Sequence, residues 1–365
     1  MNAVGIISEY NPLHSGHVWH IERTRALLDV DAAVVCVMSG SVAQRGDITI
    51  LPKWERARAA VLNGANLVVE LPAPYACASA EQFAFGGVYL LNAMGIINHI
   101  SFGSESGDLD ALKTAQSALE TSTDEFKALM SQGLSYAAAR SRAANFPSGA
   151  NDLLGICYLS AIKSMGADIT PIAIKRTNCL SASEIRRRLF AGEFPELPEP
   201  PRSELTSLQS GEQLVLAALR DMSVDDWADL PDISEGLEHR FFAAARSAKN
   251  LDGLYMSVKS KRYSLSRIRR IVLCAFLGIP RTDDPPPYIR VLAFDKRGAE
   301  LLKRMKKTSS LPIITKPTHY RELGSAAKSF FELECRVTDK IGMFYSDIRP
   351  CGQELRENPF IYTSI

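Results

Sequence analysis

No stretch of this chain is apolar over the roughly 20 residues that a membrane-spanning helix needs, and no segment is repeated or compositionally monotonous. The seven cysteines, at 36, 77, 157, 179, 274, 335 and 351, form no C-x-x-C pair and no cluster with histidine. Neither a structural zinc nor a disulfide framework is therefore expected. A charge of one sign is also missing: 42 lysines and arginines face 41 aspartates and glutamates. The first residues run straight into a strand, unlike a secretory leader. These absences lead us to expect a cytoplasmic protein without a membrane partner. With 365 residues, 46% hydrophobic and 23% charged, there is material for two domains or one large domain with additions.

Charge is uneven along the chain. Residues 1–200 hold 16 basic and 20 acidic side chains, whereas residues 255–320 hold 15 basic and only 4 acidic ones. A local excess of this kind suits a polyanion, although a solvated helix face has the same composition. Within it, Lys261, Arg262, Tyr263, Arg267 and Arg270 are candidate contacts for nucleic acid. Arg267 and Arg270 share one helix face, and Tyr263 is placed to stack on a base. Lys303, Arg304, Lys306 and Lys307 would extend that surface.

Short apolar, β-branched runs at 3–7, 32–38, 67–71, 99–102 and 168–174 alternate with helical patterns at 16–28, 54–63, 81–94, 109–121, 124–131, 134–144 and 151–165. This order predicts an α/β fold, a doubly wound parallel sheet in a domain over 1–193. Ligands of such sheets bind at the strands' carboxyl ends. The proline-rich stretch 194–203 reads as a linker. Beyond it, 204–365 reads as mainly helical, with helices over 204–221, 234–248, 251–260 and 264–278 and a short αβ-like stretch near 289–314.

After the first strand comes Asn11-Pro12-Leu13-His14-Ser15-Gly16-His17. Two imidazoles flank a glycine where a helix begins, and the missing Cβ of Gly16 lets a phosphate approach the backbone. Chance alone would produce H-x-G-H roughly 0.006 times in a chain of this composition. The pattern suits binding a triphosphate and stabilising charge as its α-phosphate is attacked, with His14 and His17 as the catalytic pair. His20 lies on the same face, where core packing is an equal reading. Near the domain end, Ser181 and Glu184 are spaced as a capping box, and Ser183 and Arg186 are candidate phosphate contacts; a plain capped helix has the same pattern. Arg45 suits a phosphate, a small acid's carboxylate or a surface ion pair. Glu9 and Glu105 are not assigned as metal ligands, and no metal site is expected.

The H-x-G-H motif resembles that of the nucleotidylyltransferase superfamily. Longer runs are similar to the bacterial tRNA(Met) cytidine acetate ligase family: residues 3–17, Met38-Ser39-Gly40 with Gln44-Arg45-Gly46, Lys53-Trp54 with Arg56, 63–72, 80–84, Phe102-Gly103-Ser104-Glu105, 151–155, Lys175-Arg176, 261–263 with Arg267 and Arg270, and 289–292. The resemblance implies a Rossmann-like nucleotidylyltransferase fold. It also implies ligation of acetate to the wobble cytidine of elongator tRNA(Met) through an acetyl-adenylate, with ATP as a substrate accompanied by Mg2+. By the family pattern, ATP is bound by Ile7, Ser8, Glu9, Tyr10, Asn11, Pro12, Leu13, His14, Ser15, Gly16, His17, Val18, Trp19, His20, Gly103, Asn151 and Arg176. The chain departs from that pattern at Ser41-Val42-Ala43 and at Thr177-Asn178-Cys179-Leu180, where a Tyr-His-containing stretch is usual. Two other readings stay open: nucleotidylyl transfer to a small metabolite, and a tRNA-binding homologue impaired in catalysis.

Overall fold

The computed structural model describes residues 2–28, 31–121, 149–177, 179–234 and 236–363, with positions 128, 129, 132 and 139. The helices expected over 124–131 and 134–144 lie largely outside these described residues. The strands, in chain order, are β1 (Ala3–Ser8), β2 (Ala33–Ser39), β3 (Val42–Ala43), β4 (Asp47–Ile48), β5 (Leu67–Leu71), β6 (His99–Ser104), β7 (Thr170–Lys175), β8 (Ile289–Asp295), β9 (Ile313–Ile314) and β10 (Phe360–Tyr362). The main sheet has the order β10-β8-β5-β2-β1-β6-β7, with β9 beside β8; β3 and β4 pair as a separate antiparallel ribbon.

Strands β5, β2, β1, β6 and β7 are parallel, as the alternation of strand and helix predicts. Their apolar composition follows from being covered on both faces: every residue of β2 and β5 is buried. The chain first builds outward from β1 to β2 and β5, then crosses back to β6 and β7. The reversal opens a crevice at the carboxyl ends of β1 and β6.

Successive side chains of a strand point to opposite faces. On one face, Ser101 of β6 bonds His20 at 2.9 Å and Thr24 at 2.7 Å, both on the helix Ser15–Leu28. On the other, Phe102 stacks at a tilt on Tyr158 of the helix Ala150–Met165, with ring centroids 5.6 Å apart. Ile7 packs there against Gly87 of the helix Ala80–Ala93, where a Cβ would sit 2.5 Å from the isoleucine.

The sheet does not end at residue 193. Strand β8 pairs antiparallel with β5, and β10 adds a further edge strand, so the downstream segment extends the same sheet. The proline-rich stretch packs on the helix Lys53–Leu62, where Arg202 N donates to Glu55 at 2.6 Å and Arg58 pairs with Glu199 at 3.0 Å. Downstream, helices occupy Glu212–Asp221, Leu237–Ser247, Leu251–Val258 and Leu265–Leu277, close to the expected positions. The first is shorter than expected, being preceded by a tight turn at Leu208–Gly211. The helix Ser325–Ile341 has no counterpart among the expected elements.

Where this downstream part meets β5, charge is buried. Lys53 pairs with Glu70 and, at 2.5 Å, with Glu354; Arg290 pairs with Glu354 and, at 3.5 Å, with Glu70. Two cations against two carboxylates leave the cluster balanced, which such burial demands. Nearby Glu334 is pushed up to about 8 by burial and by Glu70, and holds its proton at neutral pH. It accepts a hydrogen bond from Ala73 N at 2.7 Å.

Candidate functional site

A cavity of about 860 Å³ lies at the crevice. It is floored by the end of β1, where Tyr10 adopts φ 45° and the Asn11-Pro12 peptide is cis, turning the chain off the strand into the helix Ser15–Leu28. Ile7, Ser8, Glu9, Tyr10, His14, Gly16, His17, Trp19, His20, Gly103, Asn151 and Arg176 all line it. Asn11, Pro12, Leu13, Ser15 and Val18 do not line it: the first three form the turn and the last two belong to the helix. Asn11 Oδ1 accepts from Ile50 N at 2.9 Å, while Leu13 packs in the core with Tyr10 and Ile21.

The imidazoles are fixed by the backbone. His14 Nδ1 accepts from Gly16 N at 3.1 Å, and His17 Nδ1 accepts from His14 N at 3.3 Å. The two rings stack with centroids 3.7 Å apart. A ring nitrogen that accepts an N–H carries no proton, so each neutral ring holds its proton on Nε2. Burial, and then the Arg176 charge, push His14 down to about 4. Burial holds His17 well below its usual value, with His14, His20 and Arg176 adding to the effect. His20 is lowered to about 4 by burial and Arg176. The site thus offers uncharged Nε2–H donors at a helix N-terminus, which suits phosphate oxygens.

Two reciprocal caps hold the rim formed by β6 and the helix Ala150–Met165. Glu105 accepts from Asn151 N at 3.2 Å, Asn151 Nδ2 at 2.6 Å and Asp152 N at 2.8 Å. Burial raises its carboxyl, but these bonds outweigh burial and hold it below the usual value. Asp152 in turn accepts from Ser104 Oγ and from Glu105 N at 3.0 Å. Glu9 is likewise an acceptor, taking Gln44 N at 2.7 Å. Among the described residues there is no group of three His, Cys, Asp or Glu able to hold a metal ion.

Ser183 and Arg186 do not line the cavity. Arg186 donates to Asn11 O at 2.7 Å and to Ser183 Oγ at 3.1 Å, and so braces the turn. The capping box is only half formed. Ser181 Oγ accepts from Glu184 N, but the Glu184 carboxylate is taken by Arg187 and Arg188. Cys179, in the divergent stretch, abuts Gly16 so closely that a Cβ there would collide with its Sγ.

Part of the cavity wall comes from the basic segment. Arg262, Arg267 and Arg270 line the same cavity as the histidines. Arg267 donates to Asp232 O at 2.6 and 3.0 Å, and Arg270 pairs with the Asp232 carboxylate at 2.7 Å. No sequence signal marked Asp232, which sits at φ 64° in a loop. Tyr263, expected to stack on a base, is only 6% exposed, with Arg240 and Arg267 over its ring. Lys261 is exposed. The second basic run is not continuous with the first. Its helix, Lys296–Thr308, starts beside Asn66 and ends beside Met94 and Gly95, at the amino ends of the strands and away from the cavity.

Residues 1–354 match the HIGH Nucleotidyl Transferase family. The chain is 34% identical to a tRNA(Met) cytidine acetate ligase of Acetivibrio thermocellus, covering 99% of this chain and 100% of that one. It is 37% identical to one from a Thermoanaerobacter species, covering 96% and 98%. A crystal structure of Thermotoga maritima TmcAL bound with alpha-thio ATP superposes with a TM-score of 0.90 at 28% identity, covering 99% of each chain.

Proposed function

Because this chain belongs to the tRNA(Met) cytidine acetate ligase family of HIGH nucleotidyl transferases, we propose that it joins acetate to the wobble cytidine of elongator tRNA(Met), driven by ATP. The observation that carries the reading is that one cavity is lined both by the H-x-G-H segment and by Arg262, Arg267 and Arg270. Nucleotide chemistry and a polyanion contact then share one space.

In the first step a carboxylate oxygen attacks the α-phosphorus, and the bond to the leaving pyrophosphate breaks with its electron pair. No proton moves, so the step calls for donors to the developing charge rather than a base. The Nε2–H groups of His14 and His17 have that character. In the second step the exocyclic amine attacks the acetyl carbonyl, AMP leaves and the amine gives up a proton; alignment is the main requirement. Mg2+ enters with ATP, held by phosphate oxygens as part of the substrate.

Purified protein given radiolabelled acetate and ATP, with and without total bacterial tRNA, tests this. The expected result is label in tRNA and acetate-dependent ATP–pyrophosphate exchange. Exchange insensitive to acetate would point to another acceptor, and tRNA retention without exchange to a binding protein. His17→Ala is expected to lower exchange by at least about 100-fold while leaving tRNA retention intact.

A further inference from the structure

Among the described residues, five arginines line the cavity: Arg45, Arg176, Arg262, Arg267 and Arg270. Asp232 holds Arg267 and Arg270, and Arg262 is engaged as well. The guanidiniums of Arg45 and Arg176 have no hydrogen-bond or ion-pair partner among the described residues. Of these two, Arg176 matches the family pattern for ATP, and its charge reaches His14, His17 and His20. Arg45 is left without a ligand.

The backbone beneath Arg45 is fixed while its side chain is unpaired. It sits in the turn between β3 and β4, which Gly46 N closes by donating to Ala43 O at 3.0 Å. Gln44 N donates to Glu9 at 2.7 Å, and Gln44 Nε2 to Ala78 O at 3.1 Å. Gly46 lies so close to the backbone of Arg269 and Arg270 that a Cβ there would collide with it. The end of β1, the chain entering the helix Ala80–Ala93 and the helix Leu265–Leu277 thus all hold this turn. The acids beside it are engaged elsewhere: Glu9 takes Gln44 N, Asp47 takes Ile48 N at 2.9 Å, and neither pairs with Arg45. A planar fork of donors on a rigid turn, with no internal acceptor, is suited to an oxyanion.

Phosphate is the chemistry that ATP and RNA share, and depth separates the two sources. A triphosphate is drawn to the helix N-terminus, where His14 is only 4% exposed. An RNA puts its reacting nucleotide into such a cavity and leaves the flanking phosphates at the mouth. Arg45 is exposed, and it is carried on the turn that presses on the arginine-bearing helix. Resting on the RNA-ligase reading above, the geometry points to Arg45 as the receptor for a backbone phosphate beside the reacting cytidine. A bidentate clamp there sets the register of the nucleotide without reading its base. Arg45 is then a positioning residue for acetyl transfer, with no part in adenylation.

The test measures the affinity of the full chain for an elongator tRNA(Met) transcript across salt concentrations, and the KM values for ATP, acetate and tRNA. Wild type, Arg45→Gln, Arg45→Lys and Lys303→Gln are compared. Arg45→Gln is expected to flatten the log–log salt slope by about 0.7–0.9, the share of one phosphate, and to raise the KM for tRNA about 10-fold. The KM values for ATP and acetate in pyrophosphate exchange should change less than about twofold. Arg45→Lys keeps the charge and should restore the slope, though not the full affinity. An unaltered slope in Arg45→Gln overturns the proposal, and a raised KM for ATP or acetate beside it assigns the guanidinium to that substrate instead. Equal flattening in Lys303→Gln, an exposed cation at the far end of the sheet, also overturns it, because the slope would then follow net charge alone. Wild-type protein without acetate-dependent exchange overturns the ligase reading, and the slope of Arg45→Gln still decides the phosphate contact by itself.

Discussion

His14, His17 and His20 are kept neutral by their surroundings, and this has a measurable sign. The free imidazole titrates at 6.5, whereas His14 and His20 are pushed down to about 4 in the folded chain. Between those values the unfolded chain binds protons that the native protein refuses. The stability these groups contribute is therefore complete above about 6.5 and is lost as pH falls toward 4. Denaturant midpoints measured across that window should fall with acidity, and more steeply for the wild type than for His20→Gln. Equal slopes would show that His20 is not held neutral. The same neutrality makes Nε2 the protonated nitrogen of His14 and His17, so that in the proposed chemistry each would act as a donor.

Among the elements, the β3–β4 ribbon joins the nucleotide site to the arginine-bearing helix Leu265–Leu277. Gly46, in its turn, has φ 76°, and a Cβ there would collide with the backbone of Arg269 and Arg270. Gly192 has nearly the same φ, 77°, but a Cβ there would meet nothing within 4 Å. The pair separates backbone strain from collision. Gly192→Ala should cost about 1 kcal/mol, the strain of a left-handed residue. Gly46→Ala should cost more, about 2–4 kcal/mol, because overpacking adds to that strain. It should also weaken tRNA retention by displacing Arg270 from Asp232. Equal stability losses in chemical denaturation would mean that the ribbon does not press on the helix.

At the level of the whole molecule, the buried cluster of Lys53, Glu70, Arg290 and Glu354 ties the ends of the chain to one sheet. Glu334 beside it has its carboxyl raised from 4.5 to about 8. Here the unfolded chain releases a proton that the native protein keeps, so stability falls as pH rises from about 4.5 to about 8. Glu334→Gln retains an acceptor for Ala73 N and removes the proton. Its stability advantage over the wild type should grow across that window and level off above it. A difference that does not vary with pH would show that Glu334 is ionised in the native state.

The parallel strands and their order of appearance were legible because burial on both faces demands unbroken apolar runs. The H-x-G-H segment was legible because its chemistry is local: both imidazoles take their backbone partners within three residues. The intramolecular partners of Arg186 and Tyr263 were not legible, for a shared reason. Sequence records that a side chain is cationic or aromatic, but not whether Asn11 O or two arginines already occupy it. Strand β8 is short and apolar like the rest, yet nothing local says that it pairs antiparallel with β5, some 220 residues earlier. By itself, then, the amino-acid order determined a parallel α/β sheet with the H-x-G-H turn after its first strand, since those depend on near neighbours. Tertiary structure alone decided that the basic helix and that turn line one cavity, and that Tyr158 opens into it. Both depend on contacts between segments whose separation along the chain leaves no periodic trace.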